Sequence, residues 1–265
     1  MLKCRWIYRL GSCVLIFLIC CTTDISAQRS KRSYSSSSFS IEPQFFVLKD
    51  ENIFGHVFMG PNFSLGYYNL KQSIYGFSRY EAAFAAGAAL GGETLGFNLH
   101  FKPLDLCGGW PLVDNDDVSL YLGAFVAMNY YLQIFTELES GHVFWSTFID
   151  AGPRMILDKN FKKQKIRFQL ANSLGGLTSR PDGLKDTYYH DLHFVDIISN
   201  MHSNLQAGTF NVMNHTDFEV EWRHLNKMGT SIAYRLEYFG YYTGARLDYL
   251  VNSISIRLLV WGDAK

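Results

Sequence analysis

The sequence predicts an all-β fold: a closed, antiparallel, up-and-down barrel of about twelve strands, with ten as the alternative count. Three observations predict it. Apolar and polar residues alternate with period two in segment after segment from Phe39 onward, as in strands with two unlike faces. No apolar stripe of helical spacing and useful length competes with that pattern, and no internal repeat of about 20–50 residues is present. Aromatics make up 16% of the 265 residues, whereas charged residues make up only 18%, against about 25% in soluble domains. A net charge of zero excludes a basic nucleic-acid binder, and 48% hydrophobic residues exclude a disordered chain.

The chain opens with what reads as a signal peptide, residues 1–27. Lys3, Arg5 and Arg9 form a basic start, and Val14 to Cys21 is an apolar stretch too short to span as a helix. Ile25-Ser26-Ala27 then supplies a small-residue cleavage site before Gln28. Two lipidation boxes fit less well: Leu10 to Cys13 precedes the apolar stretch, and Leu18 to Cys21 carries Cys20 where a small residue belongs. Cleavage takes three basic residues and one acid from 24 of each, leaving 21 and 23 and a net charge of −2. Cys107 is then the one remaining thiol, so no internal disulfide is available. Residues 28–38 (QRSKRSYSSSS) read as a serine-rich leader and 39–265 as the barrel domain.

Weaker alternation marks strands near 39–48, 55–69 and 77–90. From Thr94 to Phe101, Leu95, Phe97, Leu99 and Phe101 oppose Gly96, Asn98 and His100. The clearest segment is Val118 to Tyr130, where Val118, Leu120, Leu122, Ala124, Val126 and Met128 share one face. Further strands follow near 142–157, at Lys165 to Leu170, near 204–213, at Phe218 to Arg223, near 230–242 and at Ser253 to Trp261. Turn residues separate them at Lys49 to Asn52, Gly91-Gly92, Asp158 to Asn160 and Asn226 to Gly229. Longer connections are expected at 103–116 and 176–203, with one more strand candidate at 187–199.

A soluble barrel that binds an apolar ligand inside also alternates, so the faces decide. The polar face here mixes Gly, Ser, Asn, aromatics and charges of both signs, which suits a crowded lumen better than a solvated surface. The strands exceed the roughly 9–11 residues needed to cross a bilayer. Tyr67, Tyr68, Tyr130, Tyr131, Tyr241, Tyr242 and Trp261 are expected near strand ends as interfacial girdles. Hydrocarbon tolerates β-structure only when the sheet closes.

From Ser26-Ala27-Gln28 and then Phe39 onward, the chain resembles small uncharacterised Gram-negative outer-membrane β-barrel proteins of the Bacteroidota type. The resemblance implies export through the periplasm and insertion by the outer-membrane assembly machinery, with outer-membrane lipids and lipopolysaccharide as surroundings. It implies an even strand number and an aromatic at the end of the last strand. Trp261 supplies that aromatic, although Gly262-Asp263-Ala264-Lys265 follow it.

The candidate site is a lumenal charge cluster. If Asn226 to Gly229 closes a hairpin, Glu219 and Glu221 face Arg235, with Glu237, Arg223 and Arg257 on the same face and Asp150 with Arg154 repeating the theme elsewhere. Such charges either pair into a structural ladder or line a path for a small polar solute. Catalysis is not inferred. The alternative is a lipid hydrolase using His202, Ser203 and Asn204, but adjacent strand residues face opposite ways, and the outer-membrane hydrolases that these residues resemble carry a spacer between His and Ser. A metal site from His190, His193 and Asp196 has no supporting motif, and the absence of a P-loop, CxxC or nucleotide fingerprint implies no cofactor.

Overall fold

The computed structural model describes residues 34–53, 55–73, 75–135, 142–161, 164–180, 199, 201–203, 205–224 and 229–264. Twelve strands are present among them: β1 (Tyr34–Asp50), β2 (Val57–Ser73), β3 (Gly76–Gly91), β4 (Thr94–Asp114), β5 (Val118–Phe135), β6 (His142–Phe161), β7 (Gln164–Asn172), β8 (Gly175–Ser179), β9 (Gln206–Thr209), β10 (Met213–His224), β11 (Thr230–Tyr241) and β12 (Leu247–Ala264). Ten of them close the barrel, in the order β5-β4-β3-β2-β1-β12-β11-β10-β7-β6, with β6 returning to β5. The alternative count is therefore the one that describes the closed wall. The other two prolong it. β7 pairs with β6 from Arg154 to Phe161, and β8 takes over from Thr147 to Ala151 after a one-residue bulge at Ser173-Leu174, with β9 beside it.

Tyr34 pairs with Ala264, so both ends of the described chain lie at one rim. The connections at that rim are short, at 74–75, 115–117, 162–163 and 225–229. At the opposite rim β1, β5, β8 and β11 end and β2, β6 and β12 begin, and a tight turn at Gly92-Glu93 joins β3 to β4, where Gly92 takes φ 60°. We call the two rims the turn end and the loop end.

The alternation sets the faces as the aliphatic pattern predicts. Leu122 and Val126 are 37% and 46% exposed on the outside, whereas Glu219 and Glu221 are each 1% exposed on the inside. Phe39, Ile41, Phe63, Phe97, Ile254 and Val260 continue the outer apolar surface around the wall. A soluble barrel with an apolar interior requires the reverse arrangement, so that alternative falls.

Three expectations need correction. Tyr34 to Ser38, assigned to the leader, form the start of β1, because Ser36 and Ser38 turn their small hydroxyls into the lumen and continue the phase of Ser40 and Glu42. The connection expected at 103–116 is strand almost throughout. A register shift between Phe101 and Leu104 flips the phase, so Asp105 and Cys107 face inward where Lys102 did before them, and the period-two count breaks. The connection expected at 176–203 likewise begins as β8. The strand candidate at 187–199 lies outside the described residues except for Ser199.

The girdle reading also splits. Neighbouring strand residues point to opposite faces, so Tyr68, Tyr131 and Tyr241 enter the lumen and only Tyr67, Tyr130 and Tyr242 turn outward.

Candidate functional site

The lumen is filled in layers by side chains from the polar phase of each strand. Near the loop end an aromatic plug gathers Phe46, Phe58, Tyr131, Phe135, Phe148, Phe239 and Tyr249. Phe58 and Phe135 approach to 4.5 Å between centroids, and Tyr131 lies 4.7 Å from Tyr249 and 5.1 Å from Phe239. Two glycines make room for them. A Cβ on Gly91 would meet the Phe58 ring at 2.5 Å, and one on Gly96 would meet Phe135 at 2.5 Å. Some polar groups in and around the plug are matched internally: Asn98 Nδ2 donates to the Tyr249 hydroxyl (3.0 Å) and Gln133 Nε2 donates to Asn98 Oδ1 (3.0 Å).

Below the plug, rings give way to an ionic belt. Two histidines mark the change, His100 stacked on Tyr131 (4.2 Å) and His215 stacked on Phe239 (4.0 Å). His215 Nδ1 meets Asp150 Oδ2 at 2.8 Å and its Nε2 meets Glu237 at 3.2 Å. Lys102 Nζ donates to Glu237 (2.9 Å). Arg235 grips Asp217 through two bonds of 2.8 Å and reaches across to Glu81. Arg154 holds Asp105 through bonds of 2.8 and 2.9 Å, and Arg79 joins Asp105 to Glu81.

Nearer the turn end, Arg257 holds Glu219 through bonds of 2.9 and 2.6 Å, and Arg223 pairs with Glu221 at 2.9 Å. Arg167 and Lys165 close on Asp158, with Gln72 completing the group. Paired, two-pronged contacts of this kind are the geometry in which a buried guanidinium and carboxylate offset their lost hydration.

All eight charged residues expected in the lumen are there, but their partners differ in detail. Glu219 does stand opposite Arg235 in the β10–β11 ladder. The Arg235 guanidinium nonetheless takes Asp217, a diagonal neighbour that suits its length, and leaves Glu219 to Arg257. Asp150 and Arg154 do not pair with each other and belong to the same belt, through His215 and Asp105. The sequence reading did not place Arg79, Glu81, Lys102, Asp105, Arg167 or Asp217 in the cluster. It grouped His215 with the His202 segment instead, and it gave Asp158 to a turn, whereas Asp158 lies within β6 and pairs with Arg167. Asp217 was within reach of it, since Asp217, Glu219, Glu221 and Arg223 share one phase. Asp105 was hidden by the bulge before it.

His202 and Ser203 are outside the wall. Met201 packs on Val143 and Trp145 beside Tyr130 and Leu132, and Thr147 Oγ1 donates to the Met201 carbonyl at 2.8 Å. His202 Nε2 lies 2.7 Å from the Tyr130 hydroxyl, and the Ser203 carbonyl accepts from Ser179 Oγ. Asn204, His190, His193 and Asp196 lie outside the described residues. Among the described residues, no three of His, Cys, Asp or Glu are grouped to hold a metal ion.

No protein-family model matches the chain, and no curated protein matches it. Solved structures do. The outer membrane protease OmpT from Escherichia coli aligns over 90% of this chain and 99% of its own, at 8% identity and a TM-score of 0.43. Neisserial surface protein A aligns over 84% and 97%, at 10% identity and a TM-score of 0.33. The CymD monoaromatic hydrocarbon channel aligns over 84% and 88%, at 8% identity and a TM-score of 0.25. Likeness at this level puts no weight on any activity.

Proposed function

We propose that the chain is an outer-membrane β-barrel of structural or surface-presenting role, exported after cleavage near Ala27 and inserted by the outer-membrane assembly machinery. Its surroundings are outer-membrane lipids and lipopolysaccharide, and its longer loop-end connections are the parts presented outward. The lumen does not serve as an open pore in this reading. The observation that carries it is the packed interior: an aromatic plug sits directly on a belt in which Arg79, Lys102, Arg154, Arg235 and Arg257 are each bonded to carboxylates. A barrel of this size is filled by its own side chains. The outward apolar surface supports the membrane setting, since that much exposed apolar area is unfavourable in water. No catalytic role is assigned to His202, Ser203 or Asn204.

Planar-bilayer recording of the purified chain tests the closed lumen. Incorporated protein should give no single-channel steps. Steady steps whose size changes in Arg235→Ala would replace this reading with narrow solute passage.

A further inference from the structure

His215 presents both of its ring nitrogens to carboxylates. Nδ1 lies 2.8 Å from Asp150 Oδ2 on β6, and Nε2 lies 3.2 Å from Glu237 Oε1 on β11. A neutral imidazole has one N–H and one lone pair, so it can donate to one carboxylate and must turn its lone pair toward the other. An imidazolium donates from both nitrogens. The residue is 2% exposed and both contacts are direct, which leaves no water between them to relieve a lone pair aimed at an anion.

The neighbours settle where the proton sits. Glu237 also accepts from Lys102 Nζ at 2.9 Å, so it acts there as an acceptor. Against Asp150 the ring is the natural holder, because a free imidazole is a stronger base than a free carboxylate by roughly 2 pH units or more. The ring lies flat on Phe239, 4.0 Å between centroids and 17° between planes, and an aromatic face attracts a cation. His100 offers the contrast at the same level of the lumen. Its Nε2 meets the amide oxygen of Asn129 at 3.1 Å, which a neutral ring satisfies with its one N–H.

The charge count agrees. Among the described residues, the interior and its loop-end mouth hold ten buried acids. Nine lysine and arginine side chains are ion-paired with acids of that group. A proton placed elsewhere in the lumen would also close the count, but it would not supply the second ring N–H that Asp150 and Glu237 together require.

We infer that His215 is the tenth cation of the interior, a buried imidazolium that ties β6 to β11, and that the barrel retains one proton there when it folds. The other ionisable groups around the ring are Asp217 on its own strand, Arg154 on β6, Arg235 on β11, His100 and Lys102 on β4, and Tyr131 on β5. Ser173 adds a neutral hydroxyl that accepts from the His215 backbone N–H. Lys102, Arg154 and Arg235 are committed to carboxylates of their own and do not replace the ring. The unfolded chain has no such bridge, and its histidines lose their protons near pH 6.5. Stability from the bridge is therefore complete below about pH 6.5 and declines as the pH rises, with the unfolding constant growing about 10-fold per pH unit while the folded chain keeps its proton.

The test uses the full mature chain in detergent micelles. Nitrogen-15 spectra of histidine-labelled protein at about pH 8, where exposed histidines are neutral, should show one ring with both nitrogens protonated. That ring should vanish in His215→Gln. Urea unfolding of the parent between about pH 7 and 9 should carry the one-proton slope, and His215→Gln should lack it. If His215→Gln does not fold, His215→Gln combined with Asp150→Asn removes one charge of each sign and takes its place in both measurements. A parent spectrum in which every ring has a single protonated nitrogen overturns the assignment. So does a pH slope that the variant shares.

Discussion

The loop end and the middle of the lumen are enclosed by the same strands and filled by opposite chemistry. Phe46, Phe58, Tyr131, Phe148, Phe239 and Tyr249 crowd the first region, whereas Asp105, Arg154, Asp217, Arg235, Glu219 and Arg257 crowd the second. The rings gain from contact with any apolar neighbour and lose by degrees when one is trimmed. The ions gain only from particular partners at particular distances, and removing one strands another in a medium that cannot hydrate it. The belt therefore fixes which strands sit opposite each other across the lumen, while the plug fills the space above it.

The comparison predicts unequal penalties for single changes in the two regions. Arg257→Ala should have the largest effect. It leaves Glu219 with only Gln169, and Glu221 with Arg223 and a more distant Arg167. A loss of about 3–5 kcal/mol is expected for breaking a buried pair on one side. Urea unfolding of the refolded chain in micelles measures it, and a loss under ~1 kcal/mol would show that the belt is hydrated rather than buried.

Phe239→Leu should be milder. The ring touches Tyr131, Phe148 and His215, but leucine keeps much of the apolar volume and the neighbouring rings can close in. About 1–1.5 kcal/mol is expected from a near-conservative apolar swap. A penalty equal to that of Arg257→Ala in the same unfolding assay would erase the distinction between the regions.

How much of this was legible in the sequence follows from what each residue depends on. The outer face could be read directly, because Val118 to Met128 and Ile254 to Val260 repeat without interruption and a local period is enough to set it. The membership of Glu219, Glu221, Arg223, Arg235 and Arg257 in the lumen followed from the same phase. Partners did not follow. Arg235 with Glu81 and Lys102 with Glu237 join residues 154 and 135 positions apart, and only barrel closure brings them together. Asp105 was lost to a phase-flipping bulge, which leaves no mark in a period-two count. The serine stretch in β1 looked like a leader because the same small hydroxyls serve a solvated linker and a crowded inner wall.

The sharpest version of the comparison converts a piece of the belt into the chemistry of the plug. Arg257 and Glu219 suit this because most of their bonding is mutual, and the Arg257 guanidinium also lies 4.6 Å from the Tyr68 ring centroid, so apolar atoms can occupy its place. Arg257→Met combined with Glu219→Leu removes both charges and strands neither. Gln169 loses one acceptor, while Glu221 keeps Arg223. Replacing a buried pair by apolar groups of similar volume is commonly neutral or stabilising, so the double variant should unfold within about 1 kcal/mol of the parent and well above Arg257→Ala. Recovery of that kind assigns the cost of the single change to the abandoned carboxylate. A double variant as weak as Arg257→Ala would mean instead that this pair contributes net attraction, and that the belt stabilises the barrel beyond fixing the partners of its strands.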